Sequence, residues 1–142
     1  MKPRARLDPI ELGLPHREPF LFLDAIVERV PGESAVGEKT FAATDPMFLG
    51  HFPENPIVPG VILLEALAQT AGLAVATAGD LLYLTAIKAV KFPKPCFPGE
   101  LITLSATRAG GMTSLVRCDV IARVGERVVA EGTIVLAGGT RS

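Results

Sequence analysis

The run from Val61 to Ala78 is apolar almost all the way round, interrupted only by Glu65, Gln69, Thr70, Gly72 and Thr77. A helix of this kind has no face to show to water, so either the rest of the chain wraps it or a membrane surrounds it. The interruptions, and the soluble patterning on both sides, favour a buried core helix over a membrane span. The chain has 142 residues, 49% of them apolar and 20% charged, which suits one globular core. We read residues 1–142 as a single domain, with 1–11 a frayed lead-in and 138–142 a tail.

The helix is expected to start at Gly60 or Val61, directly after Pro59, and to end near Ala78 with Gly79-Asp80 as cap and turn. Around it the chain reads as strands. The apolar runs Phe20–Leu23 and Ala25–Val27 form one, bounded by Pro19 and Pro31-Gly32, and Ala35–Phe41 forms a second. Tyr83–Lys91, Leu101–Arg108, Ser114–Val124 and Arg127–Leu136 follow. The short connectors Ala109-Gly110-Gly111 and Gly125-Glu126 predict an antiparallel meander for the last three. About six strands and one helix of this polarity make an α+β domain in which the sheet curves around the helix.

Composition excludes several functions. Lys and Arg number 14 against 15 Asp and Glu, so no bulk charge points to nucleic acid or an anionic membrane. Cys96 and Cys118 form no CxxC pair and have no histidine at metal-ligand spacing. They read as reduced structural thiols of a cytoplasmic chain, and no metal site is expected. The basic N-terminus is followed by no apolar stretch of the kind a secretory signal needs.

The chemistry centres on Glu65, a carboxylate in an apolar helix, where desolvation is costly or raises its pKa. Gln69 lies one turn on and shares its face. Upstream, His51 stands in a loop stiffened by Pro46, Pro53, Pro56 and Pro59. The helix N-terminus offers free N–H groups at Gly60, Val61 and Ile62, and Gly60 has no side chain to block an approaching oxygen. A base, an acid and an oxyanion site suit proton abstraction beside a carbonyl. Each residue also has a plainer reading: His51 as a hydrogen-bonded loop histidine, Glu65 as a carboxylate paired across an oligomer contact, Gly60 as an ordinary helix start. Spacing alone does not choose. His16, next to Arg17 and ahead of a strand, reads as structural.

Leu14-Pro15-His16-Arg17, Pro19-Phe20-Leu21, Gly50-His51-Phe52-Pro53, Pro59-Gly60-Val61, Leu64 to Gln69 and Phe92 to Gly99 together resemble the (3R)-hydroxyacyl-acyl carrier protein dehydratases of type II fatty-acid synthesis, the FabZ type. The resemblance covers residues 12 to 136 and implies a hotdog fold, a curved antiparallel sheet around one long helix. It implies that His51 takes the α-proton of a 3-hydroxyacyl thioester, that Glu65 protonates the departing hydroxyl, and that the Gly60 N–H steadies the thioester oxygen. It further implies that the Ile57 carbonyl orients His51, that Gln69 holds Glu65, and that Val61 and Phe52 border the substrate. Acyl carrier protein would be the partner, bringing the substrate on its phosphopantetheine arm, and no metal or redox cofactor would be needed. The site would draw His and Glu from different subunits of a homodimer or a trimer of dimers. Lys88, Lys91 and Lys94 could meet the carrier's acidic surface, or serve only as a solvated strand edge. The chain departs from the family pattern at Glu18, Leu49, Glu54-Asn55 and Lys94. A hotdog thioesterase and a non-catalytic acyl-carrier-binding subunit are the alternative readings.

Overall fold

The computed structural model describes residues 5–76, 80–112 and 114–140. Six strands form one antiparallel sheet: β1 (Ala25–Val30), β2 (Ser34–Lys39), β3 (Asp80–Lys91), β4 (Ile102–Met112), β5 (Leu115–Val124) and β6 (Arg127–Thr140), ordered β1-β2-β4-β5-β6-β3. The single α-helix among the described residues, α1 (Gly60–Val75), packs against all six strands. Alternate residues of β4 and β5 (Ile102, Leu104 and Ala106; Val116, Cys118, Val120 and Ala122) point inward. They meet Leu63, Ala66, Leu67, Ala71 and Ala74 of the helix, all buried in one core. The buried Thr70 hydroxyl is satisfied by the helix itself, donating to the Ala66 carbonyl at 2.9 Å.

The helix ends earlier than its composition predicts. It stops at Val75, with Ala76 already extended; Gly79 lies outside the described residues and Asp80 opens β3. Other elements satisfy the last carbonyls: Arg29 Nε donates to Leu73 O and the Gly32 N–H to Ala74 O, both at 2.8 Å. With those acceptors occupied, no glycine cap is required.

Other boundaries also differ. Phe20–Leu23 is not strand, because its backbone bonds to a side chain instead of a ladder: Gln69 accepts from the Phe22 N–H and donates to the Phe20 carbonyl. Gly110 and Gly111 are not a turn but part of β4, opposite Arg117 and Val116. A Cβ on Gly111, at φ +111°, would lie 2.2 Å from the Leu115 carbonyl oxygen, so this pairing needs glycine. Residues 138–140 are not tail, since β6 runs on to Thr140 and pairs with the start of β3. The lead-in is tied down from Leu7, which exchanges two backbone hydrogen bonds with Ile26.

Candidate active site

His51 sits in the loop before the helix, and its Nδ1 lies 3.1 Å from the Ile57 carbonyl oxygen. A carbonyl can only accept, so Nδ1 carries the hydrogen, and in the neutral imidazole Nε2 keeps its lone pair, the tautomer a base needs. Phe52 packs edge-on against the imidazole, with ring centroids 4.7 Å apart, from a left-handed backbone conformation at φ +50°. That conformation is costly for a non-glycine residue, and it leaves the Phe52 side chain largely exposed.

Pro59 sets the helix N-terminus. Its carbonyl accepts from the Ile62 and Leu63 N–H groups, so Ile62, expected to be free, is not. Among the described residues no partner takes the Gly60 and Val61 N–H groups. Gly60 and Ile57 line a cleft of about 290 Å³ with Phe92, Lys94 and Cys96. A Cβ on Gly60 would stand 3.1–3.2 Å from the Phe92 ring, so glycine here keeps the ring close to the helix start.

Glu65 is five residues further along, which turns it about 140° around the helix axis from Gly60. Its Oε2 accepts from Gln69 Nε2 at 3.3 Å, and His16 Nε2 lies 3.8 Å from the same oxygen. Burial raises the Glu65 pKa above its ordinary value; the Gln69 hydrogen bond and the charge of His16 oppose the rise. Gln69 is 1% exposed and ties Glu65 to the Phe20–Phe22 segment through its three hydrogen bonds. His16 and Gln69 line a second cavity, of about 530 Å³, that runs past Gly72 and Leu73 to Arg29. It shares no lining residue with the cleft at Gly60.

The residues picked out in sequence therefore fall into two groups, His51 with Ile57, Phe52, Gly60 and Val61, and Glu65 with Gln69. His16, read as structural, belongs to the second group. Its place in Leu-Pro-His-Arg, just before the segment that Gln69 binds, was the available signal. The three lysines are all exposed. Lys94 borders the Gly60 cleft, whereas Lys91 borders a depression on the sheet with Asp119 and Glu131, and Lys88 lines neither. Cys96 and Cys118 are buried free thiols, each pushed up to about 11, first by desolvation.

One long helix wrapped by a six-stranded antiparallel sheet, with a loop histidine at the helix start and a carboxylate on the helix, defines a hotdog-fold protein with acid–base side chains. Residues 14–133 match the FabA-like domain, and the chain belongs to that family. It is 44% identical over 128 residues to the 3-hydroxyacyl-[acyl-carrier-protein] dehydratase FabZ of Ruminiclostridium cellulolyticum, covering 87% of this chain and 90% of that protein. The protein of the same name from Allorhizobium ampelinum is 40% identical over 139 residues, 94% of this chain and 90% of the relative. Among solved structures, a chain of the dehydratase heterocomplex ApeI:P from Xenorhabdus doucetiae superposes with a TM-score of 0.76 over 96% of this chain and 94% of its own. Its sequence identity is 16%, so it speaks to the fold alone.

Proposed function

We propose that this protein dehydrates (3R)-hydroxyacyl thioesters of acyl carrier protein to trans-2-enoyl thioesters in fatty-acid biosynthesis. The observation that carries the reading is the His51 Nδ1 contact with the Ile57 carbonyl, which leaves Nε2 as a base, in a chain that also keeps Glu65 ready to hold a proton. His51 Nε2 takes the α-proton, and the C–H electron pair becomes the new double bond. The β-carbon–oxygen bond breaks, and the hydroxyl leaves as water with the proton of Glu65. Charge that builds on the thioester oxygen is met by the Gly60 and Val61 N–H groups at the helix N-terminus. Phe52, beside His51, borders the acyl chain. Proton transfer and elimination involve no net redox change, so no redox cofactor is needed, and His51, Glu65 and the helix N–H groups supply base, acid and oxyanion site without a metal; the phosphopantetheine arm delivers the substrate, and Lys94 at the cleft, with Lys88 and Lys91, meets its phosphate or the acidic carrier.

The active unit is a homodimer. Three features support this. The cleft at Gly60 and the cavity at Gln69 are separate within one chain. The β3 edge is twelve residues long and, among the described residues, has only β6 as a neighbour. It also exposes Tyr83 and Ile87, 60% and 51% accessible, as an edge seeking a partner would. A second copy brings its Glu65 to the first copy's His51. The buried free thiols support a reducing, cytoplasmic setting.

The test is intact-mass measurement of a 3-hydroxybutyryl carrier protein after incubation with the protein. Loss of one water is the expected result. Release of the free acid would instead identify a thioesterase, and an unchanged but bound carrier a non-catalytic subunit.

A further inference from the structure

We propose that His16 is a positioning residue for Glu65: with Gln69 it holds Oε2, so that Oε1 is the oxygen that carries and delivers the proton. This rests on the acid role of Glu65 given above. Both polar neighbours converge on one oxygen, Gln69 Nε2 at 3.3 Å and His16 Nε2 at 3.8 Å. Among the described residues Oε1 has no hydrogen-bond partner. A carboxylic acid held this way accepts at Oε2 and bears its hydrogen on Oε1.

The imidazole is built to face Glu65. Its Nδ1 is buried without a hydrogen-bond partner. Of the two neutral tautomers, the one with its hydrogen on Nε2 turns the donor toward Glu65 and strands no N–H at the buried Nδ1. The ring stacks on Phe20, with centroids 6.4 Å apart and planes 23° from parallel. Behind it, Arg17 Nη1 donates to the Leu14 and His16 carbonyls, both at 2.8 Å, which fixes the turn that presents the histidine. Gln69 fixes the next segment through Phe20 and Phe22. The groups that bear on Glu65 are thus His16 from the N-terminal segment and neutral Gln69 from its own helix; no other titratable side chain among the described residues acts on it.

The experiment compares kcat/KM–pH profiles of the wild type, His16→Phe and His16→Gln, each also combined with Glu65→Gln. Phenylalanine keeps the ring and its stacking but loses the N–H; glutamine keeps an N–H where Nε2 stands. His16→Phe is expected to lower kcat about 10-fold or more with KM little changed, because a misplaced reacting group costs rate. An N–H facing Oε2 favours the carboxylate, so its loss moves the alkaline limb of the profile to higher pH. His16→Gln should recover most of kcat. In the Glu65→Gln background, His16→Phe should cost little more, since both act through one group. Equal kcat and an unmoved limb in His16→Phe, or additive losses in the double variant, would overturn the proposal. If His16→Phe does not fold, His16→Asn replaces it; with the amide at the Nδ1 place, a rate equal to that of His16→Gln overturns it as well. A wild type that forms no enoyl product overturns the functional reading, and this inference with it; an active wild type with a wild-type-like His16→Phe overturns this inference alone.

Discussion

The two halves of the site are held in opposite ways. His51 hangs on a proline-braced loop, half-buried, with one hydrogen bond to the Ile57 carbonyl to set its tautomer. Glu65 stands on the central helix beside an almost fully buried glutamine whose amide also pins the backbone at Phe20 and Phe22. The loop half is lightly anchored: removal of its side chain releases one acceptor, the Ile57 carbonyl, and leaves the core untouched. The helix half is part of the core, so its chemistry and its stability share the same hydrogen bonds. Changes on one side should read out in rate alone, and changes on the other in both rate and stability.

The sharpest test of that difference is His51, the proposed base. His51→Ala should lower turnover by about 10²-fold or more, the usual contribution of a positioned general base, with thermal midpoint and assembly unchanged. A rate near wild type would remove His51 from the mechanism.

Glu65→Gln should lose a comparable factor, because the amide keeps the shape and has no proton to give. Its stability should move the other way. Folded Glu65 keeps its proton to higher pH than the unfolded chain does, so the wild type loses stability as pH rises from about 4.5 through the folded pKa. Glutamine has no such loss. The gain in thermal midpoint of Glu65→Gln over wild type should therefore be small in acid and grow across that window; a gain that is constant with pH would mean that Glu65 is not held against ionisation. Mixing His51→Ala with Glu65→Gln subunits, after verified exchange, should restore about one site in four if each site draws on two chains. No regained activity would place both residues of a site in one subunit.

Gln69→Leu keeps the volume and removes the amide. Stranding the buried Phe22 N–H should cost about 1–3 kcal/mol in urea unfolding, with turnover lowered in the protein that stays folded. An unchanged midpoint would show that the N-terminal segment is held elsewhere. The smallest effect is expected at Gly60→Ala, where the new methyl meets the Phe92 ring at 3.1–3.2 Å. Phe92 is 46% exposed and can shift, so stability should hold while kcat/KM drops severalfold as the free N–H groups become crowded. A loss of stability without a change in rate would mark Gly60 as a packing glycine only.

Much of this architecture was written in local pattern. Strands β4 to β6 alternate, α1 is apolar on nearly every face, and Gly125 sits at φ +60° in the turn where the sequence places it. Two segments that depart from their local pattern share one cause: their backbone partners lie far away in sequence. Phe20–Leu23 is strand-like in composition, but its hydrogen bonds go to Gln69 of the helix. Gly138 breaks the alternation at the end of β6, yet the pairing with β3 continues because a Cβ there would stand 2.0 Å from the Leu81 carbonyl oxygen.

Sequence alone determined that one apolar helix had to be wrapped, and that a carboxylate in it, following a histidine in a stiff loop, was chemically out of place. Those conclusions need only periodicity and the cost of burying charge, which are properties of residues and their near neighbours. Tertiary structure decided where the helix stops, because Arg29 and Gly32 arrive from another element to take its last carbonyls. It also decided which ring nitrogen of His51 is free, and that His16, well before the helix in sequence, shares an oxygen of Glu65 with Gln69. Tautomer and proton placement depend on distances of a few ångströms between segments far apart in the chain, and only the folded packing sets those distances.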